Sequence, residues 1–317
     1  MSACSFGWEA LRSDPLPWLL DPNRPNLHWR VLVELVRRPA TSPAVIRSRG
    51  GANASEPVAS LLAALHPDGS WETPARFWQM YSGPGWRLVA AVQWGADPSD
   101  PRLHAAAERL LEIAPGEGGF ALREGEAPVP WLTARALHTL AELGWCRHAR
   151  FQEGLAWLQQ EAPRSPTGGW RVVNRRTRSG ECAVTAVALL AALTACDQGS
   201  REVLSERAVA SLERTLAAKG GLGHPCFGRT DSAEILWALA RAEMPLTPGM
   251  VQALGQLQRT QDAGARWRRS VRVPSSLPAD GVPGCSEPSG WLTLKAVVAL
   301  MHFAVAAKLP RLYPEKP

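Results

Sequence analysis

The sequence predicts an all-α fold, in which amphipathic outer helices alternate with apolar inner helices and close into a ring. Three observations point there. Five segments of the 317-residue chain read as an amphipathic helix, a Gly-containing turn and then usually an aromatic residue, and their turn residues recur every 45 to 52 positions. A fixed period of that size is the mark of a repeat architecture. After each turn comes a second helical stretch that is apolar on every side. The 27 Gly and 27 Pro separate stretches rich in Ala and Leu, and 14 Trp outnumber 6 Phe and 2 Tyr.

The elements follow in order. NLHWRVLVELVRR (Asn26–Arg38) supplies a first inner helix, and the basic, Ser/Pro-rich stretch Arg37–Arg49 reads as a connector. SLLAALHPDGSW leads to the first turn at Trp71, with its inner helix WRLVAAVQWG starting at Trp86. RLLEIAPGEGGF ends at Phe120, before PWLTARALHTLAELG from Pro130. GLAWLQQEAPRSPTGGW ends at Trp170, before ECAVTAVALLAALTA from Glu181. SLERTLAAKGGL ends at Leu222, before TDSAEILWALARAEM from Thr230. ALGQLQRTQDAGARW ends at Trp267, before WLTLKAVVALMHFAV from Trp291. The first helix of each pair carries the charge, as in Glu108, Arg109, Glu213 and Arg214. A helix apolar all round must be buried all round, while its amphipathic partner faces water, so two layers are required. The expected organisation is an N-terminal extension over 1–25, one repeat domain over 26–308 and a tail over 309–317.

Composition excludes several classes. Lys+Arg 35 against Asp+Glu 29 gives a net charge of +6, and 45% of the residues are hydrophobic, too apolar and too weakly charged for a disordered chain. No apolar run reaches the roughly 20 residues of a membrane span. The basic excess is dispersed and carries no nucleic-acid motif. Residues 1–15 lack a basic stretch followed by an apolar run, so no export signal and a cytoplasmic location are expected. The six cysteines, with no CxxC pair, are then expected to stay reduced as small apolar residues.

The pattern of an outer-helix Gln followed by Gly and Trp (Gln159 with Gly169 and Trp170; Gln258 and Gln261 with Gly264 and Trp267) resembles the QW motif of the squalene-hopene cyclase and protein prenyltransferase superfamily. The chain looks most like the short, single-domain bacterial prenyltransferase/squalene-oxidase repeat proteins. The resemblance implies an α/α toroid of about six inner and six outer helices, with functional residues at the N-terminal ends of inner helices around a central apolar cavity. It also implies an isoprenoid ligand, a prenyl diphosphate or a polyprenyl chain, and terpene-cyclase-like or prenyltransferase-like chemistry.

Against the family's Asp-x-Asp-Asp acid motif, Gly228-Arg229-Thr230-Asp231 keeps only the last carboxylate. Asp231 is therefore the candidate acid, with Glu234 one helical turn on and on the same side. The simpler reading of Asp231 is a helix cap. Trp86, Trp131, Trp237 and Trp291 are the candidate cavity aromatics, with core packing as their alternative. Arg175, Arg176, Arg268 and Arg269 lie in connections leading to inner helices, where guanidinium forks suit diphosphate oxygens. The same charges would also serve as a solvated face or permit peripheral contact with an acidic membrane surface. No cofactor is required by this reading. A zinc site resembling the prenyltransferase one would draw on Glu181, Cys182 and Asp231, with the family's spacing broken, and magnesium is the other metal a diphosphate would bring. Cys146 and His148 fall in a short turn without further ligands and are not read as a metal site. A non-catalytic binding or scaffold protein that kept the architecture and lost the acid motif is the competing reading.

Overall fold

Each apolar stretch forms a helix buried on nearly every side, and each amphipathic stretch forms a partner buried along one stripe. The computed structural model describes residues 8–71, 76–79, 81–113, 118–162, 169–170, 182–196, 202–218, 231–269, 286–304 and 306–307. Among the described residues every regular element is helical, and two isolated bridges, Leu65 to Trp71 and Arg268 to Pro288, are the only strand-like pairings. The chain divides into two compact units, one from Met1–Glu56, Leu216–Val273 and Gly281–Pro317, the other from Pro57–Thr215 and Pro274–Asp280.

The first unit takes α1 (Leu16–Leu19), α2 (Pro25–Glu34) and α3 (Pro43–Gly50) from the start of the chain. The second holds α4 (Val58–Ala63), α5 (Pro84–Gln93), α6 (Pro101–Glu112), α7 (Pro130–Glu142), α8 (Ala149–Glu161), α9 (Ala183–Ala195) and most of α10 (Glu202–Ala218). The first is completed by α11 (Ser232–Arg241), α12 (Pro248–Arg259) and α13 (Gly290–Phe303). Much of the proline has a simple use. Pro25, Pro43, Pro84, Pro101, Pro130 and Pro248 each open a helix, where the missing N–H costs nothing.

Burial separates the two helix types. On α6 the buried residues are Leu103, Ala106, Ala107, Leu110 and Leu111, the three-and-four spacing of one stripe. On α7 every residue from Leu132 to Ala141 is buried, and on α11 every residue from Ser232 to Ala240. The turns are tied to their helices by the aromatic side chains. The indole N–H of Trp71, Trp170 and Trp267 donates to the carbonyls of Leu61, Leu158 and Leu257 at 3.0, 3.0 and 2.9 Å. These carbonyls lie in the last turns of α4, α8 and α12. The backbone N–H of Phe120 and of Trp267 donates to Thr133 and Thr293 on the following buried helix. Gly69, at φ +79°, turns against α6, where a Cβ would meet the backbone of Ala105 at 2.3 Å.

Three findings depart from expectation. The stretch read as a connector contains α3, which sends Val45 and Ser48 inward, and Val45 joins a core with Trp29, Leu32 and Ala52. The extension is docked as well: Leu11 and Leu19 are fully buried, and Gln258 and Gln261 both donate to the Ala10 carbonyl, at 3.2 and 3.1 Å. The cysteines are not all reduced. Cys146 and Cys196 form a disulfide across a Cα–Cα distance of 5.7 Å and a sequence separation of 50. That separation is one repeat period, so the two residues occupy equivalent places, just after α7 and at the end of its neighbour α9. The packing of α7 against α9 brings those ends together. Cys182 is a buried free thiol. Among the described residues no helix is long and apolar enough to cross a membrane.

Candidate functional site

The first unit holds an uncommon cluster of buried polar groups, at the start of α11. Asp231 is its N-cap, in extended backbone, and its Oδ1 accepts the Glu234 N–H at 2.8 Å. The Asp-Ser-Ala-Glu spelling is that of a capping box, which accounts for why the helix begins here. Asp231 is 5% exposed and Glu234 3%. The Glu234 side chain meets α13, where Lys295 Nζ donates to its Oε1 at 3.0 Å.

Burial pushes the Asp231 carboxyl up from 3.8 to about 7, the neighbouring Glu234 charge adds to the rise, and the Glu234 N–H and Lys295 partly oppose it. Asp231 is therefore a carboxylic acid that keeps its proton close to neutral pH. Its Oδ2 has no hydrogen-bond partner among the described residues. With Oδ1 accepting an amide N–H, which favours the anion left after proton loss, Oδ2 is the atom suited to hold and release a proton.

Below this pair, Trp237 is occupied on several sides. Lys295 Nζ lies 4.8 Å and the Arg241 guanidinium 4.9 Å from the centre of its ring. Its indole N–H donates to Glu34 Oε2 at 2.7 Å, and Arg30 lies 3.7 Å from the other Glu34 oxygen. These partners come from α2, α11 and α13, so Trp237 knits three helices together. Trp291 is half-buried and sits one helical turn before Lys295 on α13, on the same face.

In the second unit, Trp86 and Trp131 stack with ring centres 5.9 Å apart, and Tyr81 leans on Trp86 at 5.4 Å. Trp86 is 1% exposed and its Nε1 has no hydrogen-bond partner among the described residues, while Trp131 is half-buried. Cys182 is the N-cap residue of α9, and burial pushes its thiol up, away from the thiolate a metal would need. Among the described residues no group of three His, Cys, Asp or Glu could hold a metal ion. Glu181, Arg175 and Arg176 lie outside the described residues. Arg268 is exposed whereas Arg269 is 5% exposed, so the two guanidinium groups occupy different surroundings.

Sequence reasoning found Asp231 and Glu234 but missed Lys295, Glu34 and the buried Arg135 of α7. The signal was there for two of them. Lys295 and Arg135 each stand as one cation in an otherwise apolar stretch, and a buried cation demands a partner.

No family model and no curated protein matches the chain. Solved structures of the type II terpene cyclase MstE from Scytonema do. The product-bound form, with merosterolic acid A, is 18% identical over 80% of this chain and 95% of that one, with a TM-score of 0.30. The apo form is 17% identical over 78% and 96%, with a TM-score of 0.29. The form bound to its substrate, geranylgeranyl dihydroxybenzoate, is 16% identical over 79% and 95%, with a TM-score of 0.32. Likeness this distant assigns no family.

Proposed function

We propose that this chain is an isoprenoid-handling enzyme of the terpene-cyclase kind, with Asp231 as the proton donor. The observation that carries the reading is the Asp231 carboxyl itself: buried, protonated close to neutral pH, anchored through Oδ1 and free at Oδ2. In the step proposed, Oδ2–H adds its proton to one carbon of a prenyl double bond, and the carboxylate left behind faces the cation. The chain's next double bond attacks that cation, and loss of a proton from the cyclised product ends the reaction. Buried surroundings favour such a transfer by excluding water, which would otherwise quench the cation.

The aromatic roles divide. Trp291, half-buried one turn before Lys295 on α13, is proposed to face the cation. Trp86 and Trp131, a stacked pair within the second unit, remain candidates for contact with an apolar ligand there. Trp237 already meets two cations and Glu34, so its role is to hold the helices. Arg175, Arg176 and Arg268 remain candidates for holding a diphosphate or touching an acidic membrane surface. Arg269, being buried, suits neither an open fork nor a membrane contact.

A second reading has one observation in its favour. Asp231 caps its own helix, the role a carboxylate would keep in a binding or scaffold protein without chemistry. Two measurements separate the readings. Thermal unfolding against prenyl diphosphates and polyprenyl hydrocarbons of increasing length should give a shift that grows with length, since a ligand at about 100 times its Kd adds roughly 2.7 kcal/mol. Incubation in D2O should then place one deuterium in the cyclised product, and Asp231→Asn should abolish it while keeping the thermal shift. A shift without deuterium would leave a binding protein, and no shift with any isoprenoid would refute the reading.

A further inference from the structure

We propose that Lys295 is a positioning residue that decides which of the two buried carboxyl groups carries the proton: by pairing with Glu234 it keeps Glu234 as the carboxylate and leaves Asp231 as the acid. The inference deepens the reading of Asp231 as proton donor and rests on it.

The starting point is charge. Asp231 and Glu234 stand three residues apart at the start of α11, both almost fully buried. Two carboxylates so close in a medium of low polarity cannot both ionise without a large penalty. Set against one ammonium, two carboxylates leave one negative charge in excess, and a single bound proton makes the group neutral. Which carboxyl takes that proton depends on what each oxygen meets. Glu234 Oε1 receives the Lys295 ammonium at 3.0 Å, a strong charge-assisted hydrogen bond that protonation would forfeit. The Asp231 carboxyl receives backbone N–H groups alone, and its Oδ2 meets no donor among the described residues. The proton therefore belongs on Asp231.

Lys295 is itself held in place for this task. Its side chain is 17% exposed, and Nζ lies 4.8 Å from the centre of the Trp237 ring, a distance at which the ring face attracts a cation. Trp237 in turn is fixed by its N–H on Glu34. Several other charges on the surrounding helices are engaged elsewhere or exposed. Arg241 lies at the far end of α11 against Trp237, and on α2 Arg30 faces Glu34 and the Trp29 ring while Glu34 accepts the Trp237 N–H. Arg259 of α12 is exposed, and His302 of α13 meets the Met244 carbonyl at the other end of the helix. Lys295 is the cation whose charge acts on Asp231 and whose ammonium meets Glu234.

The test reads protonation directly and needs no substrate. Asp and Glu side-chain carboxyls labelled with 13C are followed by NMR against pH in the full chain, with Asp231→Asn and Glu234→Gln giving the assignments. In the wild type and in Lys295→Arg, the one proton bound near neutral pH should appear on Asp231, with the Glu234 signal at its ionised position. In Lys295→Met, Glu234 should become protonated over the same range, so that the pair binds two protons. A Glu234 signal that stays ionised in Lys295→Met would overturn the proposal. Should that variant fail to fold, Glu234→Gln answers alone: without the neighbouring charge, and with Lys295 released, the Asp231 midpoint should fall by a unit or more, and an unmoved midpoint overturns the proposal. The thermal shift with prenyl ligands, measured on the same samples, separates the two claims. Normal titrations without any ligand shift would defeat the functional reading and spare the role of Lys295. Ligand binding with unaltered titrations would do the reverse.

Discussion

Replacing Asp231 with Asn should change how the stability of the protein depends on pH. The variant keeps the cap, since an Asn side-chain oxygen accepts the Glu234 N–H as well as Asp does, and it removes the titrating group. In the folded protein the Asp231 carboxyl is pushed from 3.8 to about 7 by burial and by Glu234. An acid whose pKa rises on folding binds its proton more tightly when folded, so low pH favours the folded state. The wild type therefore carries no penalty below about pH 4, loses stability as pH rises, and levels off above about pH 7. Each unit is worth about 1.4 kcal/mol, so the part between about pH 5 and pH 7 comes to roughly 2 to 3 kcal/mol. Urea unfolding of wild type and Asp231→Asn at about pH 5 and pH 8 should show the variant gaining on the wild type by that amount at the higher pH. Parallel behaviour of the two proteins, within about 0.5 kcal/mol, would mean that Asp231 is ionised at little cost and would remove the basis for its role as an acid.

Two further perturbations test the surrounding structure. Cys146→Ser opens a disulfide that closes 50 residues of sequence, and the chain-entropy estimate for a loop of that size is about 4 kcal/mol. Urea midpoints with and without a reductant should reproduce the loss in the wild type and show none in the variant; a wild type insensitive to reductant would contradict the pairing. Trp237→Phe removes the N–H that Glu34 Oε2 accepts at 2.7 Å and leaves a buried carboxylate oxygen unserved, at a cost of about 1 to 3 kcal/mol. A double-mutant cycle with Glu34→Gln should recover part of that cost, and strict additivity of the two changes would show that the hydrogen bond contributes nothing.

The helix pairs were legible because local rules and burial agree in them. Proline marks the first turn, the three-and-four stripe marks the exposed helix of a pair, and an unbroken apolar run marks the buried one. Stretch 37–49 misled because α3 buries only Val45 and Ser48, too little apolar character to stand out from its Ser, Pro and Arg neighbours. The carboxyl pair was visible because Asp231 and Glu234 lie one turn apart on one helix. Lys295 lies 61 residues from Glu234, and Glu34 lies 203 residues from Trp237, contacts that helix packing creates and local spacing does not announce. The same distance explains Trp237, which as an aromatic on an apolar helix looked available to a ligand and is instead enclosed by charged neighbours. The cysteines could have been paired by asking which two are one repeat apart.

The bond between Cys146 and Cys196 also makes the intervening chain a covalent ring, with α8, α9 and the residues that join them inside it. A protease that cut the backbone once anywhere inside that ring would release nothing. Both fragments would travel as one species at full mass until a reductant separated them, and the α7 and α9 ends would stay within bonding distance throughout. In this part of the molecule, backbone continuity and structural continuity are thus separate properties. A break that would divide an ordinary helical repeat here only converts a closed loop into two tethered arms.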